Sequence, residues 1–192
     1  YLTMEKIDAV ADLVRQKTSH QPKIGMILGS GLGSLAESVK DADKIPYPEL
    51  KGWPVSTVKG HSGQLVIGEL EGQNVLVMQG RAHYYEGYDM PLVGLPVRVM
   101  RRLGIETLII TNAAGAVNPG FEPGDLMLIT DHLNLIGMAG QNPLRGPNLE
   151  EFGPRFPDMS KVYDRELQAV ARQVAKENDL GLQEGVYVCL AG

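Results

Sequence analysis

Apolar residues first recur with a helical period. Ile7, Val10, Ala11 and Val14 fall on one face of residues 4–17, with charged residues between them. The segment Thr18-Ser19-His20-Gln21-Pro22 predicts the end of that helix. Residues 23–28 form a short apolar run leading into Gly29-Ser30-Gly31-Leu32-Gly33, and Leu35 with Val39 predicts a short helix behind it. Residues 55–58, 64–70 and 74–79 read as strands, the last two joined as a hairpin through Glu71-Gly72-Gln73. Leu92, Leu95, Val99 and Leu103 share a helical face that Gly104 is placed to end. Pro91 suits the first turn of such a helix, whereas Pro96 argues against its being unbroken. Residues 107–111 read as a buried strand, and 126–130 and 184–190 as two more. In 164–178, Leu167, Val170, Ala171 and Val174 line one helical face, with Ser160 or Asp164 as the cap.

Helices alternate with strands, but a hairpin interrupts them. The pattern predicts an α/β fold, a mixed twisted central β-sheet flanked by helices, in one domain over residues 1–192. Two stretches, 80–89 and 137–159, are long without periodicity, as functional loops commonly are.

Composition narrows the function. Apolar residues make up 43% and charged residues 21%, a globular balance. No apolar run approaches the ~20 residues of a membrane span. A net charge of −5 disfavours an extended nucleic-acid interface but not a small anion. A single cysteine, Cys189, fits a reducing compartment, and residues 1–12 do not resemble a leader, so a cytoplasmic location is expected.

Four clusters can carry chemistry. Gly29-Ser30-Gly31-Leu32-Gly33 follows a strand, so its amides and the Ser30 hydroxyl suit an anion. Ser34 breaks the dinucleotide fingerprint and no Gly-Lys-Ser/Thr follows, which leaves a ligand-free glycine turn as the other reading. His61 stands between glycines in Gly60-His61-Ser62-Gly63 and needs partners to matter. Gly80-Arg81-Ala82-His83-Tyr84-Tyr85-Glu86-Gly87-Tyr88 leaves a strand with Arg81, His83 and Tyr85 on one face if extended. Arg81 offers a donor fork matched to phosphate, His83 a second donor, and Tyr85 a flat ring; the competing reading is a solvated loop with an Arg81–Glu86 ion pair. Thr111-Asn112-Ala113-Ala114-Gly115 leaves another strand as small residues, which suit either tight packing or a ligand near the main chain. The four histidines are scattered and the cysteine has no partner, so no metal site is expected.

These segments, with Gly124-Asp125-Leu126-Met127 and Gln141-Asn142-Pro143-Leu144-Arg145-Gly146, resemble in order the homotrimeric class of purine nucleoside phosphorylases. The resemblance runs from about Lys23 to Gly192. It implies reversible phosphorolysis of purine (deoxy)ribonucleosides to the base and the pentose 1-phosphate, with inorganic phosphate as co-substrate and no cofactor. It implies that Ser30, His61, Arg81, His83 and the main chain at Ala113 bind phosphate, with Arg81 and His83 catalytic through positioning it. Tyr85 would lie against the ribose, and Phe156 would reach a neighbouring subunit's ribose site in a homotrimer. Ala82 and Ala116 depart from residues common in the family. The family continues beyond the counterpart of Gly192, so a missing C-terminal part with the base-binding residues is expected, and base preference stays open. The alternatives are a methylthioadenosine phosphorylase or an inactive nucleoside- or phosphate-binding fragment.

Overall fold

The computed structural model describes residues 1–56 and 63–191, in two compact units. The first comprises Tyr1–Ala113 with Pro143–Phe152, and the second Ala114–Asn142 with Gly153–Gly192. His61 lies outside the described residues, as do 57 and 58 of the strand expected at 55–58; Val55 and Ser56 carry no strand.

In the first unit, α1 (Met4–Arg15) starts at Thr3, whose side chain accepts the Lys6 N–H, and buries Ile7, Val10, Ala11 and Val14. There follow β1 (Ile24–Leu28), a 3-10 turn over Gly33–Ser38, β2 (Lys40–Pro46), β3 (Gln64–Leu70) and β4 (Gln73–Gln79). Then come α2 (Met90–Val93), α3 (Leu95–Arg102) and β5 (Thr107–Ile110). The sheet order is β2-β3-β4-β1-β5, with β2/β3 and β3/β4 antiparallel and β1 parallel to both β4 and β5. This is the mixed sheet that the interrupted alternation predicts.

Period-two alternation sends the side chains of β3 and β4 into two cores. Leu65, Ile67, Leu76 and Met78 pack with Ile7, Val10, Val14 and Val99, while Val66, Val75 and Val77 pack with Leu28, Ala36 and Val39. Leu76 is fully buried, so truncating it to alanine would cost about 2–5 kcal/mol. Arg102 forms a two-pronged pair with Asp8 at 2.6 and 3.2 Å, tying α3 to α1.

Four details differ from the sequence pattern. The charged strand β2 carries no apolar alternation because among the described residues it is a sheet edge, paired only with β3. The helix expected through Leu92–Leu103 is reset at Gly94, which places Pro96 in the first turn of α3, where its missing N–H costs nothing. The short helix expected behind the glycine loop is present, but with 3-10 geometry, over Gly33–Ser38. And β5 is not buried: Ile109 and Ile110 are 44% and 57% exposed, since among the described residues β5 pairs only with β1. The hairpin turn is tight, with Glu71 at φ 49° and Gly72 at φ 76°, as a type I′ turn requires.

The second unit contains β6 (Leu126–Asn134), α4 (Leu135–Met138), α5 (Arg165–Glu177) and β7 (Leu182–Cys189), with β6 and β7 parallel. Asp164 caps α5, its carboxylate accepting the Glu166 and Leu167 N–H groups at 2.9 Å. Ser160 bonds Asp158 instead. Leu167, Val170 and Val174 keep the predicted helical spacing but are exposed. Among the described residues no helix is long and apolar enough to cross a membrane.

Candidate functional site

Because β1, β4 and β5 run parallel, their carboxyl ends open on one edge. Leu28 is in register with Gln79 and Ile27 with Ile110. At an interstrand spacing of about 4.8 Å, the three exits lie within roughly 10 Å. From β1 the chain builds β2–β4 on one side and β5 on the other. The strand order therefore reverses at β1, the position where open α/β sheets form a ligand crevice.

At the β1 exit, Gly29 is pressed against the β5 exit. A Cβ there would lie 2.7 Å from both the Thr111 carbonyl oxygen and Asn112 Cα, so no larger residue fits. The Gly29 carbonyl accepts the Leu32 N–H at 3.2 Å, and Gly31 has φ +87°, the third-residue conformation of a type II turn. Ser30 occupies the exposed corner of this turn. The Gly29 N–H is not directed outward: it donates to Thr111 Oγ1 at 2.9 Å. At the other end of the loop, the Gly33 carbonyl accepts from Gln79 Nε2 at 2.9 Å. Gln79 is itself buried and accepts from Gln64 Nε2 at 2.7 Å. A buried amide bonded at both ends holds the loop down from below.

At the β4 exit, Gly80 is buried with φ +90°, and its carbonyl accepts the Tyr47 hydroxyl at 2.6 Å. Burial pushes the Tyr47 phenol well above its ordinary range, which keeps it a donor. Arg81 Nη1 donates to the Thr111 carbonyl at 2.8 Å, so the guanidinium is anchored at one corner. Ala82 turns into the protein between the half-buried Arg81 and His83, as local extension predicts. The chain then winds into a 3-10 turn, Tyr84–Glu86, capped reciprocally by His83 and Glu86.

Glu86 is the hub of that turn. Its side chain is 2% exposed and receives the His83 main-chain N–H at 2.7 Å and ring Nδ1 at 2.9 Å. The Ser56 hydroxyl donates to it at 3.2 Å. A carboxylate offers only acceptors, so Nδ1 carries the hydrogen and Nε2 is left on the far edge of the ring. Tyr85, 61% exposed, stacks on the His83 ring with centroids 4.8 Å apart. Arg81, His83 and Tyr85 thus emerge from one exit, while the charge of Glu86 is directed to His83 and Ser56. The third exit supplies Thr111, Asn112 and the exposed main chain at Ala113.

One strand edge therefore gathers a guanidinium, an imidazole, a hydroxyl and an open main-chain segment, a set suited to an anion. Ser30, Arg81, His83, Tyr85 and Ala113 all belong to the first unit; Phe156 belongs to the second and is 86% exposed. The sequence offers Glu86 only as an ion-pair partner of Arg81, whereas the structure bonds it to His83, and Tyr47 and the Thr111 side chain carry no mark in the sequence pattern. His83 and Glu86 stand three apart, the spacing of a capping box. Tyr47 and Thr111 bond across 33 and 82 residues, and nothing local in the sequence marks them. Among the described residues no group of three His, Cys, Asp or Glu side chains clusters as metal ligands would.

The model of the phosphorylase superfamily matches residues 23–192. Purine nucleoside phosphorylase 1 of Bacillus subtilis is 52% identical over 188 residues, spanning 98% of this chain and 68% of its own length. The enzyme of the same name from Geobacillus stearothermophilus is 55% identical, spanning 97% of this chain and 67% of its own. Among solved structures, Schistosoma mansoni purine nucleoside phosphorylase in complex with inosine superposes with a TM-score of 0.93 at 46% identity. That match covers 99% of this chain and 67% of that one.

Proposed function

We infer the function from membership: the chain belongs to the phosphorylase superfamily and, within it, to the purine nucleoside phosphorylases. Its activity is the reversible phosphorolysis of purine (deoxy)ribonucleosides, which yields the free base and the (deoxy)ribose 1-phosphate. The observation that carries this reading is the convergence of Arg81, His83 and Ser30 on one strand edge, with Arg81 fixed on Thr111 and His83 on Glu86.

In the reaction a phosphate oxygen forms a bond to C1′ of the sugar as the bond from C1′ to the base nitrogen breaks. The electron pair leaves with the purine, which takes up a proton. The transition state carries positive charge on the ribose ring. A phosphate fixed beside it is both the nucleophile and the opposing charge, so the protein needs aligned donors and no covalent group of its own. Arg81 supplies charge-assisted donors to the phosphate. His83, turned by Glu86, presents the ring edge bearing Nε2, and Ser30 and the Ala113 main chain complete the cradle. Tyr85 lies against the ribose. No cofactor enters this chemistry.

The two units are parts of one phosphorylase domain. The working assembly is a homotrimer in the cytoplasm, in which the exposed Phe156 closes the ribose site of a neighbouring subunit. The test is base release from inosine by the full-length protein with and without phosphate. Release that requires phosphate or arsenate is expected, and release at the same rate without either would overturn the reading.

A further inference from the structure

Thr111 follows the last residue of β5, is partly buried, and makes four hydrogen bonds, three to β1 and its exit and one to the exit of β4. Its N–H and its hydroxyl both donate to the Ile27 carbonyl, at 3.0 and 3.2 Å. With its hydrogen so directed, Oγ1 turns a lone pair to the Gly29 N–H at 2.9 Å. Its carbonyl accepts from Arg81 Nη1 at 2.8 Å. One residue therefore sets where the glycine loop leaves β1 and where the guanidinium sits after β4. The contact admits little slack, because Gly29 has no room for even a Cβ against the Thr111 carbonyl.

We propose that Thr111 is the positioning residue of the anion site, holding the Ser30 turn and the Arg81 guanidinium at a fixed separation so that both engage the same phosphate. This rests on the phosphorolysis reading above. Thr111 acts through Gly29 and Arg81 and needs no contact with substrate itself. A hydroxyl is necessary because the position must donate to Ile27 and accept from Gly29 at once. Valine has the same shape and does neither. It would leave the buried Gly29 N–H unpaired, and relief of that cost displaces the loop, the Thr111 carbonyl and hence Arg81. Serine keeps both roles.

The experiment measures KM for phosphate and for inosine in the full-length protein and its T111V and T111S variants. For T111V, phosphate KM is expected to rise about tenfold, the equivalent of one poorly aligned charge-assisted hydrogen bond, while inosine KM stays within about twofold and T111S recovers the wild-type values. A purely structural role would lower the active fraction and leave both KM values unchanged; that result overturns the proposal. So does an equal rise in both KM values, or a T111S as weak as T111V. If T111V does not accumulate as folded protein, T111C replaces it, since a thiol is a weaker donor and acceptor. An intermediate rise in phosphate KM then supports the proposal and an unchanged one overturns it. Wild-type turnover that ignores phosphate would instead overturn the functional reading, and is read from the control alone.

Discussion

Removing the hydroxyl of Tyr47 tests how the β4 exit is held. The side chain is fully buried, and its hydroxyl donates at 2.6 Å to the carbonyl of Gly80, itself buried and immediately before Arg81. In Tyr47→Phe the ring remains, so its contact with Trp53, centroids 5.4 Å apart, is kept and no apolar cavity forms. What is lost is one hydrogen bond, and what is left is a buried carbonyl without that donor. The expected cost is about 1–3 kcal/mol, centred near 2. For a protein of this size each kcal/mol moves Tm by roughly 2–4 °C, so the loss should be about 4–8 °C. Urea unfolding followed by tryptophan emission, with unchanged m, reads the free energy directly. Because Gly80 leads into Arg81, phosphate KM should rise with the loss of stability. A midpoint within about 0.5 kcal/mol of wild type, the usual scatter of a neutral surface change, would refute the argument that this hydroxyl holds the exit.

Glu86→Gln can keep an oxygen for the two His83 donors, which both meet Oε1, but it removes the negative charge behind them and turns an NH2 toward the Ser56 hydroxyl, so phosphate KM should rise about tenfold with a smaller effect on inosine KM; steady-state kinetics check it, and equal effects on both substrates contradict it. His20 bonds the Asp41 carbonyl at 2.8 Å and Asn74 Oδ1 at 3.1 Å, and these acceptors, with the nearby Asp41 and Asp43 charges, raise its pKa above the ordinary 6.5. A raised folded-state value means stability present in full below pH 6.5 and lost as pH climbs through the folded value. Melting from pH 5.5 to 8 should therefore show a decline in wild type that H20Q lacks, and parallel curves would contradict it. Gln79→Leu removes the buried amide that holds Gly33, and should both destabilise the fold and raise phosphate KM. Combined denaturation and kinetic measurements test this, and a variant stable but unchanged for phosphate would count against the loop's need for that support.

What the sequence made legible follows from range. Elements with their own period were readable: α1 from Ile7, Val10 and Val14, and the hairpin from β3, Glu71-Gly72 and β4. The edge strand β2 was not, because a solvated edge needs no apolar alternation. The restart at Gly94 was half visible, since Pro96 marks the conflict but not which side yields. At the site, Ser30, Arg81, His83 and Tyr85 could be singled out because glycines and strand ends flag them locally. The struts behind them, Thr111 to Gly29 and Tyr47 to Gly80, exist only once the sheet order brings the exits together. The exposure of Ile109 and Ile110 was equally hidden, because burial of a strand depends on its neighbours and not on its own composition.

On the proposed function, Arg81 and His83 hold an anion at the joint carboxyl ends of β1, β4 and β5. Calorimetric titration of inorganic phosphate into the wild-type protein and the R81A/H83A variant tests it most directly. Saturable binding to wild type and none to the variant at the same concentrations is expected, with the variant's thermal transition still cooperative. Phosphate binding of equal affinity by both proteins would contradict it.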